Sequence, residues 1–237
     1  MSEIVAFVAG ATGYTGREVV RVLREQGART LAHVRPDSSR LEEWRSRFEA
    51  MGAEVDATEW DAGAMSETLR RVEPNLVFTL LGTTRARAKG EGMGATEAYE
   101  RIDYGLSALL IDAAARCPIP PRFVYLSAAG VGPGSRNAYV QARWRAEEHL
   151  RASGIPWTIA RPSFITGPDR DDERPLERLG ATLSDGMLAV VGTLGARRLR
   201  DRYHSTDNTT LAHALVRLAR DPDWENRIAY SESLRGR

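Results

Sequence analysis

The chain has 237 residues, 42% of them hydrophobic and 27% charged, with a formal net charge of +1. That length suits one α/β domain with a sizeable core and no second full domain, and the near-neutral balance gives no global attraction to nucleic acid or to acidic membranes. The single cysteine, Cys117, excludes an intramolecular disulfide framework and fits a reducing compartment, where it reads as a buried helix-end residue rather than a nucleophile.

No charged start with an apolar stretch and cleavage site precedes Ile4, and no apolar run approaches the roughly 20 residues that span a bilayer. The expectation is a cytoplasmic protein. Ile4 to Ala9 is apolar at successive positions, the pattern of a strand covered on both faces of a parallel sheet. It runs into Gly10-Ala11-Thr12-Gly13-Tyr14-Thr15-Gly16, with glycine at every third position, and then into a helix whose inner stripe is Val19, Val20 and Leu23 and which Gly27 ends. In the order strand, glycine turn, helix, these residues predict a phosphate cradle: glycine permits the tight turn and close backbone approach, and the helix N-terminus supplies positive charge for a pyrophosphate.

Thr30 to Val34 reads as the second strand, and its end is where a dinucleotide site reads the ribose. An acid there would favour NAD; Arg35 stands there instead, and a guanidinium can grip a 2′-phosphate, so NADP is expected. The alternative is a solvated loop charge. Leu41 to Met51 forms a charged amphipathic helix and Glu54 to Ala57 a short strand. Asp61 then stands either beside the adenine or as N-cap of a helix running to about Val72.

Leu76 to Leu81 is the fourth strand, ending in Gly82-Thr83-Thr84, where backbone can approach a ligand. Arg85, Arg87 and Lys89 follow as a solvated charge run, with phosphate contact as the alternative. A helix with Ile102, Leu106, Leu109, Leu110 and Ala113 inward closes at Cys117-Pro118. Phe123 to Leu126 is the fifth strand, carrying Ser127 at its carboxyl end, and a helix from about Asn137 projects Tyr139 and Arg143 from one face. Trp157 to Ala160 is the sixth strand, leading into Arg161-Pro162. Strands alternating with helices predict a doubly wound parallel sheet, the Rossmann fold, in a single NAD(P)-binding domain: a core over residues 1–162 and a small irregular C-terminal lobe over 163–237 closing the substrate side, the last helix at Leu211, Ala214, Leu215 and Leu218 included.

The glycine turn, Leu80-Leu81-Gly82-Thr83-Thr84-Arg85, the Ser127 strand end, the Tyr139 helix, Arg161-Pro162 and the stretch from Asp169-Arg170 to Arg174-Pro175 together resemble the atypical branch of the short-chain dehydrogenase/reductases. The sequence is especially similar to NmrA-like proteins and to the Tat-interacting oxidoreductase group. The resemblance implies that Ser127 polarises a substrate carbonyl and that Tyr139 is the general acid/base. A hydride reaching a carbonyl carbon leaves an alkoxide that needs a proton, and a phenol of pKa about 10 needs a nearby cation to give or take one near neutrality.

The cation in such relatives is a lysine four residues after the tyrosine; here it is Arg143, which keeps the charge but cannot relay a proton. Asp103 lies near the place of a helper asparagine. The resemblance further implies cofactor contacts at Thr12, Tyr14, Thr15, Arg35, Leu81, Gly82, Ile165 and Arg174. Two readings follow: an NADP-dependent oxidoreductase acting on a small carbonyl-type substrate, or a non-catalytic NAD(P)-binding redox sensor with a regulatory protein partner. His33, His149, His204 and His213 are scattered without metal-ligand spacing. His204-Ser205-Thr206-Asp207 reads as a capping segment before the last helix, with a proton role for His204 as the alternative.

Overall fold

The computed structural model describes residues 3–83, 92–163, 165–166 and 206–235. Strands β1 (Val5–Ala9), β2 (Arg29–His33), β3 (Glu54–Asp56), β4 (Leu76–Thr79), β5 (Arg122–Leu126) and β6 (Trp157–Arg161) alternate with helices α1 (Tyr14–Glu25), α2 (Leu41–Ala50) and α3 (Ala62–Val72), then α4 (Ala95–Ala98) continued by a π-helix (Tyr99–Leu106) and α5 (Ser107–Ala115), and α6 (Ala138–Ala152). The short β7 (Ile165–Thr166) pairs with β8 (Thr206–Asp207), which leads into α7 (Asn208–Arg220), a 3-10 turn, β9 (Arg227–Tyr230) and α8 (Ser231–Leu234).

Seven strands form one sheet in the order β3-β2-β1-β4-β5-β6-β9, parallel throughout. The chain walks outward from β1 to β3 and then from β4 in the other direction. The switch point, the place where such sheets bind ligands, therefore lies beyond the carboxyl ends of β1 and β4.

Successive strand residues point to opposite faces, and both faces are covered, which is why the strands are apolar at successive positions. On one face α1 (Val19, Val20, Leu23), α2 (Trp44, Phe48) and α7 (Leu211, Leu215, Leu218) pack over Ala6, Val8, Phe78 and Val124. On the other, α3 (Met65, Leu69), α5 (Leu110, Ile111) and α6 (Ala146, Leu150) pack over Phe7, Val77, Phe123, Tyr125 and Ile159.

The described residues beyond 162 pack on the sheet as well as following it. Residues 206–235 belong to the core: the apolar stripe of α7 is buried in the same cluster as α1, and β9 extends the sheet by pairing with β6 from Thr158↔Arg227 to Arg161↔Tyr230. Asn208 Nδ2 also donates to the Tyr14 carbonyl at 2.8 Å, tying α7 to the first turn of α1. The rest of the expected lobe, residues 167–205, lies outside the described residues.

A second difference lies between residues 99 and 106. The predicted inward face included Leu106 and Leu109, but both are half-buried, while Asp103 and Ser107 point inward. The π-helix inserts an extra residue per hydrogen-bonded turn and so rotates the buried face. Ser107 Oγ donates to the Asp103 carbonyl at 2.8 Å, satisfying an acceptor within the widened turn.

Candidate functional site

Close backbone packing dictates the glycine turn. Gly10 has φ +81°, and a Cβ there would stand 2.7 Å from the Leu80 carbonyl oxygen, so the turn lies directly against the chain leaving β4. A Cβ at Gly16 would stand 2.1 Å from the Gly10 oxygen, so only glycine lets α1 cross its own turn. Gly13 N donates to that same oxygen at 3.0 Å. Gly13 caps α1 without any side-chain hydrogen bond, and the first turn of the helix contains no acid. A glycine turn packed this tightly on β4, leading into a helix N-terminus without a side-chain cap or a first-turn acid, fits the pyrophosphate of a dinucleotide. Thr12 and Tyr14 are half-buried around it, and Thr15 is buried.

Arg35 follows β2 and forms an ion pair with Asp37 at 3.5 Å, both side chains being exposed. The turn after it is held by Ser38 N on the Arg35 carbonyl at 3.1 Å. Nearby, the guanidinium carbons of Arg17, Arg40 and Arg47 lie 6.0, 5.0 and 5.0 Å from the centroid of the buried Trp44 ring, and Glu43 pairs with Arg40 at 2.6 Å and with Arg47 at 3.8 Å.

Of the two roles open to Asp61, the structure displays the cap: Oδ1 accepts from Gly63 N and Ala64 N, each at 2.9 Å. His33 is the last residue of β2 and is buried. Its ring meets Trp60 edge-on at 4.8 Å, and its Nε2 lies 2.8 Å from the Thr58 carbonyl. Burial pushes its pKa down, against the opposing pull of Thr58 and Asp56.

Tyr139 and Arg143 come together as expected from their spacing. Asn137 caps α6 through Oδ1 on Tyr139 N (3.0 Å) and Val140 N (3.3 Å), fixing the first turn. The Arg143 guanidinium carbon lies 4.9 Å from the Tyr139 ring centroid. Arg143 is buried, and its two terminal nitrogens are committed: Nη1 donates to the Leu126 carbonyl at 2.5 Å, and Nη2 to the Leu81 carbonyl at 3.2 Å and Asp103 Oδ1 at 3.0 Å. Burial works against its charge and is outweighed by Tyr139, Tyr125 and Asp103, which hold its pKa above the ordinary guanidinium value. The guanidinium thus ties the carboxyl ends of β4 and β5 together beside the phenol.

Leu81, Gly82 and Thr83 form the other side of this knot. A Cβ on Gly82 would stand 3.1 Å from Arg143 Nη2. Thr83 gives its hydroxyl proton to Asp103 Oδ2 at 2.5 Å and its N–H to the same oxygen at 3.1 Å. Ile165 lies in β7 beside Thr206. Arg174, expected at the cofactor, lies outside the described residues, as do Thr84, Arg85, Arg87, Lys89 and His204.

Ser127, expected to polarise a carbonyl, is hydrogen-bonded to a buried acid. Its hydroxyl donates to Glu147 Oε1 at 2.6 Å. Glu147 is completely buried and also accepts from Arg161 Nε (2.9 Å), Arg161 Nη2 (2.5 Å) and Arg151 Nη2 (2.7 Å). A carboxylate between two guanidiniums is an acceptor only, so the serine proton is directed at it in this arrangement. Glu147 also lies eight residues beyond Tyr139 on α6, about 12 Å along the helix axis. Sequence reading missed this carboxylate because a glutamate in an amphipathic helix looks solvated; its one signal was Arg161, a charge at the end of a buried strand.

Among the described residues, no group of three or more His, Cys, Asp or Glu side chains could hold a metal ion, and no helix is long and apolar enough to cross a membrane. Cys117 is buried, and burial pushes its thiol pKa up.

Residues 10–190 match the family model described as NAD(P)H-binding. The mitochondrial protein FMP52-1 of Scheffersomyces stipitis is 30% identical over 184 residues, covering 77% of this chain and 75% of that protein. The chloroplastic protein TIC 62 of Pisum sativum is 30% identical over 239 residues, covering 92% of this chain and 41% of its own length. A ceramide reductase of Caulobacter vibrioides is 27% identical over 178 residues, covering 75% of this chain and 51% of that one. Among solved structures, Bordetella bronchiseptica WbmH in complex with NAD+ superposes with a TM-score of 0.62 at 16% identity over 92% of this chain and 73% of its own, a likeness of fold. With the glycine turn, the switch point and the matched residues in agreement, the chain belongs to the NAD(P)H-binding family.

Proposed function

We propose that the protein is an NADP-dependent oxidoreductase that reduces a carbonyl-type group on a small organic substrate, with Tyr139 as the proton donor. The observation that carries this reading is the Arg143 guanidinium seated 4.9 Å from the Tyr139 ring, a buried cation beside a half-buried phenol at the carboxyl edge of the sheet. Gly10, Gly13 and Gly16 would hold the pyrophosphate on the N-terminus of α1, with Thr12, Tyr14 and Thr15 around it and Leu81, Gly82, Thr83 and Ile165 towards the nicotinamide. When bound, the nicotinamide supplies the hydride. Tyr139 gives its phenolic proton to the alkoxide oxygen formed at the substrate carbonyl, and Arg143 stabilises the resulting phenolate until water reprotonates it. Arg143 acts only as a fixed charge, because a guanidinium does not deprotonate.

The choice of NADP rests on Arg35. Its pairing with Asp37 is long and exposed, and such surface pairs are worth about 0–1 kcal/mol. A 2′-phosphate dianion would accept charge-assisted hydrogen bonds from the Arg35 guanidinium at this exposed position.

One observation favours a second reading. With its hydroxyl hydrogen-bonded to Glu147, Ser127 is not poised to polarise a carbonyl, which suits a dinucleotide-binding redox sensor that signals to a protein partner. Steady-state NADPH consumption with a panel of aldehydes, ketones and quinones decides between them. Turnover with any member, abolished in Tyr139→Phe, supports the enzyme; tight NADPH binding without turnover supports the sensor.

A further inference from the structure

Two residues one turn apart on the π-helix each meet one of the two residues one turn apart on α6. The Tyr99 ring meets Tyr139 edge-on, with centroids 5.4 Å apart and planes at 65°. Asp103 Oδ1 accepts from Arg143 Nη2 at 3.0 Å, and both side chains are buried. Between them, Glu100 pairs with Arg145 on the outer surface. We infer that the π-helical turn Tyr99–Leu106 is a positioning element of the site, with Tyr99 seating the ring of Tyr139 and Asp103 seating the guanidinium of Arg143; this rests on the reading of Tyr139 and Arg143 given above.

The reasoning is local. Tyr139 sits in the first turn of α6 and is half-buried. The Tyr99 edge favours the face of that ring and limits its rotamers. Asp103 works through both carboxylate oxygens, one on Arg143 and the other on Thr83 N and Oγ1. It therefore fixes the guanidinium and the chain leaving β4 at once. Without it, Arg143 would keep a buried positive charge with no carboxylate partner, facing the Leu81 and Leu126 carbonyls and the tyrosine rings, and would have reason to move. The widened turn brings Asp103 and Ser107 inward together, in keeping with the occurrence of π segments at functional sites. Neither Tyr99 nor Asp103 is assigned a part in proton transfer. Each acts through the side chain it holds.

The test uses the full chain labelled with fluorotyrosine, in which the Tyr139 fluorine resonance is the one missing from Tyr139→Phe. Tyr99→Ala and Asp103→Asn are expected to shift that resonance and change its width, and Tyr99→Phe to restore it. With phenanthrenequinone as the substrate probe, Tyr99→Ala and Asp103→Asn are expected to lower kcat by about tenfold with the KM for NADPH little changed, and Tyr99→Phe to recover most of the loss. Melting curves of each variant separate misplacement from unfolding. A Tyr139 resonance unmoved in both Tyr99→Ala and Asp103→Asn overturns the inference, whether or not the protein turns over. A moved resonance in a wild-type background that binds NADPH but reduces nothing supports the positioning role and overturns only the enzymatic reading.

Discussion

Ser127 and Glu147 share a hydrogen bond of 2.6 Å inside the protein, and the carboxylate that receives it is completely enclosed by Arg161, Arg151 and the serine itself. Such a bond is expected to give Ser127 a structural part at the end of β5. Ser127→Ala should cost about 1 kcal/mol of stability, because Glu147 keeps its two arginines, and should change the rate of NADPH-dependent reduction by less than about threefold. Glu147→Gln should cost about 3 kcal/mol or more, since Arg161 is left buried without its counter-charge. Urea unfolding and steady-state rates check both. A collapse of turnover in Ser127→Ala at unchanged stability would restore the polarising role.

At the glycine turn the decisive position is Gly16. A methyl group there would have to coexist with the Gly10 carbonyl oxygen at 2.1 Å and with further backbone atoms at 2.8 Å, none of which can move without displacing α1. Gly16→Ala is expected to lower stability by about 3 kcal/mol or more and to abolish nucleotide binding. Gly27→Ala meets nothing within 4 Å and carries only the strain of its φ of +75°, so it should cost about 1 kcal/mol and leave binding intact. Denaturant unfolding with and without NADPH measures both.

Arg35→Asp reverses a charge at the ribose-reading position. A charge-assisted hydrogen bond contributes about 1.5–3 kcal/mol, so the affinity for NADPH should fall roughly tenfold to a hundredfold while that for NADH stays level or rises. Titration calorimetry with both nucleotides reads the ratio directly, and an unchanged ratio removes Arg35 from cofactor selection.

The stability of the fold should depend on His33. Burial lowers its pKa in the folded protein, so the unfolded chain binds the proton more readily. The contribution is therefore fully present above the unfolded value of about 6.5 and is lost as pH falls from there through the lower folded value. Melting temperatures between pH 8 and about pH 5 should decline more steeply in the wild type than in His33→Gln. Parallel curves would show that the ring carries no such linkage.

Much of the architecture was legible because it rests on local signals. Ile4 to Ala9 and Phe123 to Leu126 are apolar on successive residues, and both are strands covered on two sides. The glycine spacing showed where helix and strand touch. What stayed hidden depends on partners distant in sequence. β9, read as Arg-Ile-Ala-Tyr, is too short and too polar at its start to announce itself, and it becomes a strand through β6. Asp103 and Glu147 look like surface acids in helical patterns and are buried because Arg143 and Arg161 reach them. The π-helix breaks the 3.6-residue rhythm on which the inward face was assigned, so Tyr99 was not seen beside Tyr139.

All functional statements made for this chain presuppose that the turn from Gly10 to Gly16 receives a dinucleotide pyrophosphate. Titration calorimetry of the purified 237-residue chain with NADPH tests this most directly. Saturable heat with one nucleotide per chain, lost in Gly16→Ala and in any folded substitution that fills the cradle, is the expected result. Heat no greater than that of dilution at millimolar NADPH and NADH, from protein that melts cooperatively, would contradict it.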